Sequence, residues 1–297
     1  MRIFVTGATG FIGTELIKEL TEAGHQVRGL ARSDSSAAQL QAAGVEVQRG
    51  TLEDLDSLRS GAAGMDAVVH LAFNHDDMTK FAESGAAERA AIEAMAEVMA
   101  PGTLLVVTSG VLLVRAQPGQ PARESDTHAV MANLPRQPEG VARTAAAERK
   151  LRVAIVRLPQ VHDTHKQGLV PYLTALAREK GVSAYVGDGA NRWAAAPRAD
   201  VAHLYRLVIE QTGPGVTVYH AVQEEGVPLR EIAETIGKGL SVPVVSLTPE
   251  QAAGHFTWLA LFAAFDGPSS SEWTRNTLGW NPTGPSLIED LSNMNYE

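Results

Sequence analysis

The stretch Thr6-Gly-Ala-Thr-Gly-Phe-Ile-Gly13 decides the fold. It follows an apolar run, residues 1–6, that predicts a strand buried on both faces. It opens a segment, Phe11 to Ala23, whose apolar residues recur at helical spacing. A glycine-rich turn between a strand and a helix predicts a binding site for the pyrophosphate of a dinucleotide, since glycines permit the tight turn and the close approach of the phosphates. The alternative is a strand–helix turn that binds no ligand.

Further apolar runs predict more strands, with helical segments between several of them. The predicted strands are 26–30, 45–48, 66–71, 103–108, 152–157 and 217–221, and the predicted helices include 84–99 and 169–180. This alternation predicts an α/β fold with a doubly wound parallel sheet, right-handed crossovers and helices on both faces.

The composition changes after residue 112. Residues 117–140 are proline-containing and lack a clear period, which predicts a surface excursion. Beyond Pro228 the pattern is mostly helical. We therefore expect a nucleotide-binding sheet domain of residues 1–165 and 200–222. A smaller, mostly helical substrate lobe of residues 166–199 and 223–297 completes this division, with the ligand in the cleft between the two.

The overall composition excludes several classes of protein. The 25 basic and 34 acidic residues give a net charge of −9, which disfavours nucleic-acid binding. The absence of cysteine excludes disulfides, thiolate catalysis and cysteine-ligated metals. Without a long apolar run or a signal-peptide pattern, we expect a cytoplasmic, non-membrane protein. His162 and His165 lack a third ligand at a diagnostic spacing, so no metal site is predicted.

The end of the second predicted strand indicates which cofactor binds. An acidic residue at this place accepts the ribose 2′-hydroxyl of NAD, whereas this chain has Arg32 and Ser33, which suit the 2′-phosphate of NADP. Asp34 follows at once, and it remains the alternative ribose ligand. We also expect Thr51-Leu52 and Leu71-Ala72-Phe73 to line the cofactor, because they follow the carboxyl ends of two other strands.

Five motifs in order resemble the signatures of the extended short-chain dehydrogenases/reductases, a family that includes NAD-dependent epimerases and dehydratases. They are the glycine stretch quoted above, Val69-His-Leu-Ala72, Val107-Thr-Ser109, Val156-Arg-Leu-Pro159 and Leu278-Gly-Trp-Asn-Pro282. The resemblance implies a Rossmann-type sheet of about seven strands, a substrate lobe that includes an insertion after the sixth strand, and a homodimer paired through two long helices. The cofactor residues taken together are Gly7, Thr9, Gly10, Phe11, Ile12, Gly13, Arg32, Ser33, Thr51, Leu52, Leu71, Ala72, Phe73, Arg143 and Pro159.

The catalytic pair that the resemblance implies is missing. Family members carry Tyr-x-x-x-Lys on the helix after the serine strand, but no tyrosine of this chain has lysine four residues later. Aligning the end of that helix places Gly140 in the tyrosine position and Thr144 in the lysine position. The adjacent Arg143 can bind the ribose or an anionic substrate group. Ser109 approximates the family's serine, although a shift of one residue would put Gly110 there.

Replacement proton donors are sought at the carboxyl ends of the strands. His75, beside Asp76 and Asp77, follows the fourth strand and can donate a proton near neutral pH. The alternative for this segment is a solvated polar loop. His162, after the sixth strand, is the next candidate. Ser109, His75, Asp76 and His162 therefore form the predicted catalytic set.

The sequence favours an NADPH-dependent reductase of a small C=O or C=N substrate. An imine is the substrate class that a missing tyrosine penalises least, because a protonated C=N bond is already electrophilic. The first alternative is a non-catalytic NADP-binding sensor, and the second is a nucleotide-sugar epimerase or dehydratase. The latter chemistry depends on the absent Tyr/Lys pair.

Overall fold

The computed structural model describes residues 1–75, 80–114, 116–117, 119–127 and 136–296, with the backbone alone at Leu113. The described strands are β1 (Arg2–Thr6), β2 (Gln26–Ala31), β3 (Glu46–Arg49), β4 (Ala67–His70), β5 (Leu104–Gly110), β6 (Arg152–Leu158), β7 (Gln160–His162), β8 (Ser183–Val186), β9 (Arg192–Pro197), β10 (Val216–His220), β11 (Glu224–Pro228) and β12 (Val244–Leu247). The described helices are α1 (Phe11–Glu22), α2 (Asp34–Ala42), α3 (Leu55–Ala62), α4 (Phe81–Val98), α5 (Pro138–Arg149), α6 (Val170–Lys180), α7 (Arg198–Gln211), α8 (Leu229–Leu240), α9 (Pro249–Phe256), α10 (Ala260–Ala264), α11 (Glu272–Leu278) and α12 (Leu287–Asn293).

Seven strands form one sheet in the order β10-β6-β5-β4-β1-β2-β3. β1 pairs in parallel with β2 and with β4, β2 pairs with β3, and β4 pairs with β5. The strand order reverses between β1 and β4, and in such sheets ligands bind outside the carboxyl ends of the strands at this point. The predicted Rossmann-type α/β fold is confirmed.

Burial explains why the central strands are so apolar. β4 is buried along its whole length, and β5 is buried up to its last residue, as expected for strands with a helix layer on each face. On one face, residues of α3, α4 and α5 pack against Phe4, Val68 and Leu105. α1 buries Leu16, Ile17 and Leu20 at helical spacing.

Two helix starts differ from the sequence prediction by more than one residue. α4 begins at Phe81, three residues before the predicted start. α5 begins at Pro138, so the last three residues of the predicted surface excursion are helical. A proline suits the first turn of a helix, because it lacks an N–H that has no intrahelical acceptor there.

Chain contacts divide the protein into two compact units. The first, called the sheet unit, comprises Met1–Ser109, Met131–Arg157 and Val201–Tyr219, and the second unit comprises Gly110–Val130, Leu158–Asp200 and His220–Glu297. The domain limits predicted from the sequence stay a prediction.

The second unit has its own core around the fully buried Trp193. Its helices supply most of its regular structure, and it adds two small sheets, β11-β9-β7 and β12-β8. Nowhere in the described part of the chain is there a helix long and apolar enough to cross a membrane.

Candidate functional site

The glycine turn between β1 and α1 leaves no room for side chains. Gly7 has a φ of +69°, a value that glycine adopts readily. The Gly10 N–H donates a 2.9 Å hydrogen bond to the Gly7 carbonyl. A Cβ at Gly7 would lie 2.9 Å from the backbone nitrogen of Ala72, and one at Gly13 would lie 2.0 Å from the Gly7 oxygen. The turn is therefore pressed between the chain that follows β4 and the first turn of α1.

The start of α1 fits an anion. No side chain caps this helix, and its first turn contains no acidic residue. Backbone N–H groups and the helix dipole favour negative charge at such a place. Thr9, Phe11 and Ile12 are half-buried around it. These features together fit the diphosphate of a dinucleotide.

A buried histidine, His70, lies at the end of β4 beside the residue that precedes the glycine turn. Thr6 Oγ1 lies 2.8 Å from Nδ1 of His70 and accepts a 3.4 Å hydrogen bond from the Ala72 N–H. Burial, together with the charge of Arg136, lowers the pKa of His70 to about 3. The imidazole is therefore neutral at physiological pH, and it ties the carboxyl ends of β1 and β4 together.

The end of β2 carries charges and hydroxyl groups. Arg32 is exposed and has no hydrogen bond or ion pair with any residue that the structure describes. Ser33 caps α2 by accepting a 3.1 Å hydrogen bond from the Ser36 N–H. Asp34 forms an ion pair with Arg49, at the end of β3. The predicted phosphate ligand Arg32 is thus unengaged by the described chain, whereas the alternative ligand Asp34 already has a cationic partner.

The other predicted cofactor residues of this unit lie at the same edge of the sheet. Thr51 is exposed and Leu52 is half-buried after the end of β3. Leu71, Ala72 and Phe73 are half-buried and directly follow β4. Their placement agrees with a nucleotide along this edge, and their individual roles stay predictions.

The end of β5 contains a hydrogen-bonded chain of hydroxyl groups. Thr108 Oγ1 donates a 2.9 Å hydrogen bond to the His70 carbonyl. The Tyr205 hydroxyl lies 2.7 Å from the same Thr108 oxygen, so it is the donor of that second bond. Burial raises the pKa of Tyr205. This tyrosine, like the neighbouring Ser109, is almost fully enclosed.

A buried ion pair lies where β4 and β5 end. Arg136 makes hydrogen bonds of 2.7 to 3.1 Å to both carboxylate oxygens of Glu88. It also donates a 3.3 Å bond to the Thr108 carbonyl, and its guanidinium stands 4.2 Å from the centre of the Phe73 ring. Burial raises the pKa of Glu88, and the adjacent Arg136 opposes that rise. The pair fixes the chain immediately before α5.

A second buried pair fixes the first turn of α5 itself. Arg157, at the end of β6, donates hydrogen bonds of 2.7 and 3.0 Å to the two oxygens of Glu139. The next residue is Gly140, which the sequence alignment placed in the tyrosine position, and Thr144 stands one turn further along. Thr144 donates a 3.1 Å bond to the Gly140 carbonyl, and Arg143 beside it is exposed. The first turn of α5 is thus anchored to the end of β6.

The remaining predicted site residues lie in different surroundings. His75 is exposed, with its ring 4.7 Å from that of Phe73, whereas Asp76 lies outside the described residues. His162 is fully buried in the second unit, where its Nδ1 lies 2.6 Å from Asp290. Pro159, which follows β6, is buried and also belongs to the second unit. The catalytic roles of His75, Asp76 and His162 stay predictions.

Sequence reasoning missed the ion pairs altogether. Glu88 and Arg136 are 48 positions apart, and Arg136 lies within the stretch that the sequence predicts as a surface excursion. Asp34 and Arg49 meet only because β2 and β3 are neighbours in the sheet. The signal in the sequence that could have indicated Arg49 is its position directly after a predicted strand. A charged residue at such a position is too common to be diagnostic.

The comparisons with known proteins agree with this geometry. A family model described as NAD(P)H-binding matches residues 7–211, which include the glycine turn, the end of β2 and the whole of α5. The chain belongs to the NAD(P)H-binding family. This confirms the resemblance drawn from the motifs, and the cofactor is a nicotinamide dinucleotide of one form or the other.

Relatives extend along the whole chain. This NAD(P)H-binding family member is 43% identical over 297 residues to an uncharacterized protein of Schizosaccharomyces pombe, covering 100% of both chains. It is 28% identical over 258 residues to a 2-alkyl-3-oxoalkanoate reductase of Stenotrophomonas maltophilia, covering 82% of this chain and 77% of that protein. The fold is similar to that of a dTDP-glucose 4,6-dehydratase from Streptomyces venezuelae solved with NAD bound, with a TM-score of 0.75 at 19% identity over 99% and 95% of the chains.

Proposed function

We propose that this protein is an NADPH-dependent reductase that acts on a small carbonyl or imine substrate without the usual catalytic tyrosine. The observation that carries the proposal is the glycine turn, whose tight packing and uncapped helix start fit a dinucleotide diphosphate. The reductase name of the Stenotrophomonas relative supports the reaction class.

The charges at the end of β2 support NADPH over NADH. Arg32 has no described partner to compete with a ligand, and a guanidinium binds a phosphate through paired, charge-assisted hydrogen bonds. The Ser33 hydroxyl lies at the same place, where it caps α2 and donates to Ser36 Oγ. Asp34 is the residue that would favour NADH, but in the free protein it is paired with Arg49. The balance of charge therefore favours the additional phosphate of NADPH.

Bound NADPH supplies a hydride to the electrophilic carbon of the substrate. The substrate oxygen or nitrogen gains a proton in the same conversion, so a carbonyl gives an alcohol and an imine gives an amine. Neither Gly140 nor Thr144 can stand in for the tyrosine and lysine of the family. We therefore assign the substrate-facing roles to two exposed side chains, His75 as a proton donor and Arg143 for an anionic group. Ser109 is buried, so its catalytic role stays a prediction.

The first experiment tests the cofactor. We expect Arg32→Glu to weaken NADPH much more than NADH, because it places a negative charge beside the 2′-phosphate. Isothermal titration calorimetry of both coenzymes measures the two losses. Arg2→Glu is the matched control, because Arg2 is an exposed arginine at the amino-terminal end of β1, away from this edge. Equal losses for NADPH and NADH would place Arg32 away from the 2′-phosphate.

The second experiment tests the reaction. An anaerobic screen of NADPH oxidation should include aldehydes, ketones, cyclic imines and enones. We expect turnover with at least one class, and we expect imines to be reduced at least as well as ketones. Efficient reduction of ketones with none of imines would refute the preference for imines.

The presence of Gly140 and Thr144 in place of the tyrosine and lysine also favours a second candidate, a non-catalytic NADP-binding sensor. Both candidates require coenzyme binding, and turnover separates them. Binding of NADPH without oxidation across the whole screen would replace the reductase with the sensor.

A further inference from the structure

Arg49 lies beside the predicted 2′-phosphate ligands. One of its terminal nitrogens pairs with the carboxylate of Asp34, and the other donates to the Ser33 carbonyl. Asp34 is the first residue of α2, directly after the capping Ser33. The guanidinium of Arg49 is therefore held across the segment that also carries Arg32, although it comes from the next strand.

The ion pair of Arg49 with Asp34 lies at the surface. The side chain of Arg49 is 50% exposed and that of Asp34 is 100% exposed. Exposed pairs of this kind are held weakly, because water screens both charges and two flexible side chains must be ordered. A phosphate dianion offers more charge and more acceptor oxygens than one carboxylate. A phosphate at this place competes well for the guanidinium.

We infer that Arg49 is a second specificity-determining residue for the 2′-phosphate, held by Asp34 until the phosphate displaces that carboxylate. The inference rests on the proposed use of NADPH and adds to Arg32 a residue that the cofactor assignment did not contain. Asp34 then has a definite effect: it keeps the arginine oriented in the free protein and disfavours the phosphate by its own charge.

The test uses adenosine 2′,5′-bisphosphate and adenosine 5′-monophosphate, which differ only in the 2′-phosphate. Calorimetry at low salt should show that Arg49→Ala weakens the bisphosphate about tenfold, as expected for one charge-assisted contact, and leaves the monophosphate unchanged. Asp34→Asn should strengthen the bisphosphate several-fold. In Asp34→Asn/Arg49→Ala, that gain should shrink, because no released guanidinium remains. Added salt should reduce every one of these differences.

Two matched variants check the interpretation. Arg2→Ala removes a comparably exposed arginine, also paired with an aspartate, from the opposite edge of the sheet and should leave both ligands unaffected. Arg49→Lys keeps the charge but loses the forked geometry, so it should bind the bisphosphate with intermediate affinity. Circular dichroism of each variant before titration confirms that it is folded.

Each outcome bears on a distinct claim. An Arg49→Ala variant with unchanged bisphosphate affinity, or with equal losses for both ligands, overturns the inference. So does an Asp34→Asn variant that weakens the monophosphate, because Asp34 is then the ribose ligand. If the wild-type protein shows the expected pattern but oxidises no NADPH, the proposed reductase fails and this inference stands. A wild-type protein that does not prefer the bisphosphate refutes both NADPH use and the role of Arg49.

Discussion

Acid should loosen the glycine turn between β1 and α1 through His70. This histidine is almost fully buried, and its Nδ1 is hydrogen-bonded to Thr6, the residue before Gly7. Burial and the nearby Arg136 lower its pKa from 6.5 to about 3. Between these values the unfolded chain binds a proton at this position and the folded protein does not. The free energy of unfolding therefore falls as the pH falls below about 6.5.

The size of the effect follows from the two pKa values. Full stabilisation is present above the unfolded value, and the loss approaches about 1.4 kcal/mol for each pH unit below it. From pH 7 to pH 5 this single group accounts for about 2 kcal/mol of lost stability. Burial raises the pKa of Glu88, which changes stability with pH in the opposite direction. The test therefore compares the pH dependence of stability between variants and does not rely on the pH profile of one protein.

Urea unfolding at pH 7 and pH 5 measures the effect. His70→Asn should be less stable than the wild type at pH 7, because it leaves a poorly filled site, but it should lose about 2 kcal/mol less on going to pH 5. His165→Asn is the control, since it makes the same replacement at a histidine whose ring is largely exposed. NADPH affinity should also fall at pH 5 in the wild type. A His70→Asn variant with the same pH dependence as the wild type would refute the reasoning.

Three further substitutions follow from the packing. Gly13→Ala brings a Cβ to 2.0 Å from the Gly7 oxygen, so α1 must shift. Calorimetry should therefore show that the variant no longer binds NADPH. A variant that keeps the wild-type affinity would disprove the close packing. Arg136→Met leaves Glu88 buried without its partner, which should lower the free energy of unfolding in urea by about 3–5 kcal/mol. Adding Glu88→Leu should restore much of that stability. A double variant as unstable as the single variant would contradict the pairing. Tyr205→Phe removes one buried hydrogen bond, which should lower the free energy of unfolding by about 1 kcal/mol. It should leave turnover unchanged, because a hydroxyl enclosed in the core cannot protonate a substrate. A large loss of kcat would identify Tyr205 as the proton donor.

The sheet was predictable from the sequence because its signals are local. β1, the glycine turn and α1 follow one another within residues 2–22, and each has a distinct pattern of apolar residues or glycine. The same holds for β4 and β5, whose continuous apolar runs match their complete burial. β8 and β12 were not predicted. They are four-residue strands that pair with each other across some 60 positions, and so short a run contains no reliable period.

The charged contacts of the site were not predictable for a different reason. Arg136 meets Glu88, and Arg49 meets Asp34, only after the sheet has brought separate segments together. The sequence shows where a charge stands in the chain but not which partner it finds across a crossover. Arg32 could be singled out because its position after β2 is set by local spacing from the glycines.

The position of His75 bears on which substrates the protein can reduce without the tyrosine of the family. Among the described residues at the ends of β4 and β5, Tyr205 is enclosed and donates to Thr108, and Arg136 is committed to Glu88. His75 is exposed beside Phe73 at the same edge. A ketone needs a proton on its developing alkoxide, whereas a protonated imine arrives with that proton already in place.

His75→Gln should therefore separate the two substrate classes. It should lower kcat for ketones by a factor of about 10²–10⁴, the usual contribution of a positioned acid, and leave kcat for cyclic imines nearly unchanged. NADPH affinity serves as the control and should not change. A variant that loses imine and ketone reduction equally would show that His75 positions the substrate or coenzyme, because loss of a proton donor alone would spare the substrate that brings its own proton.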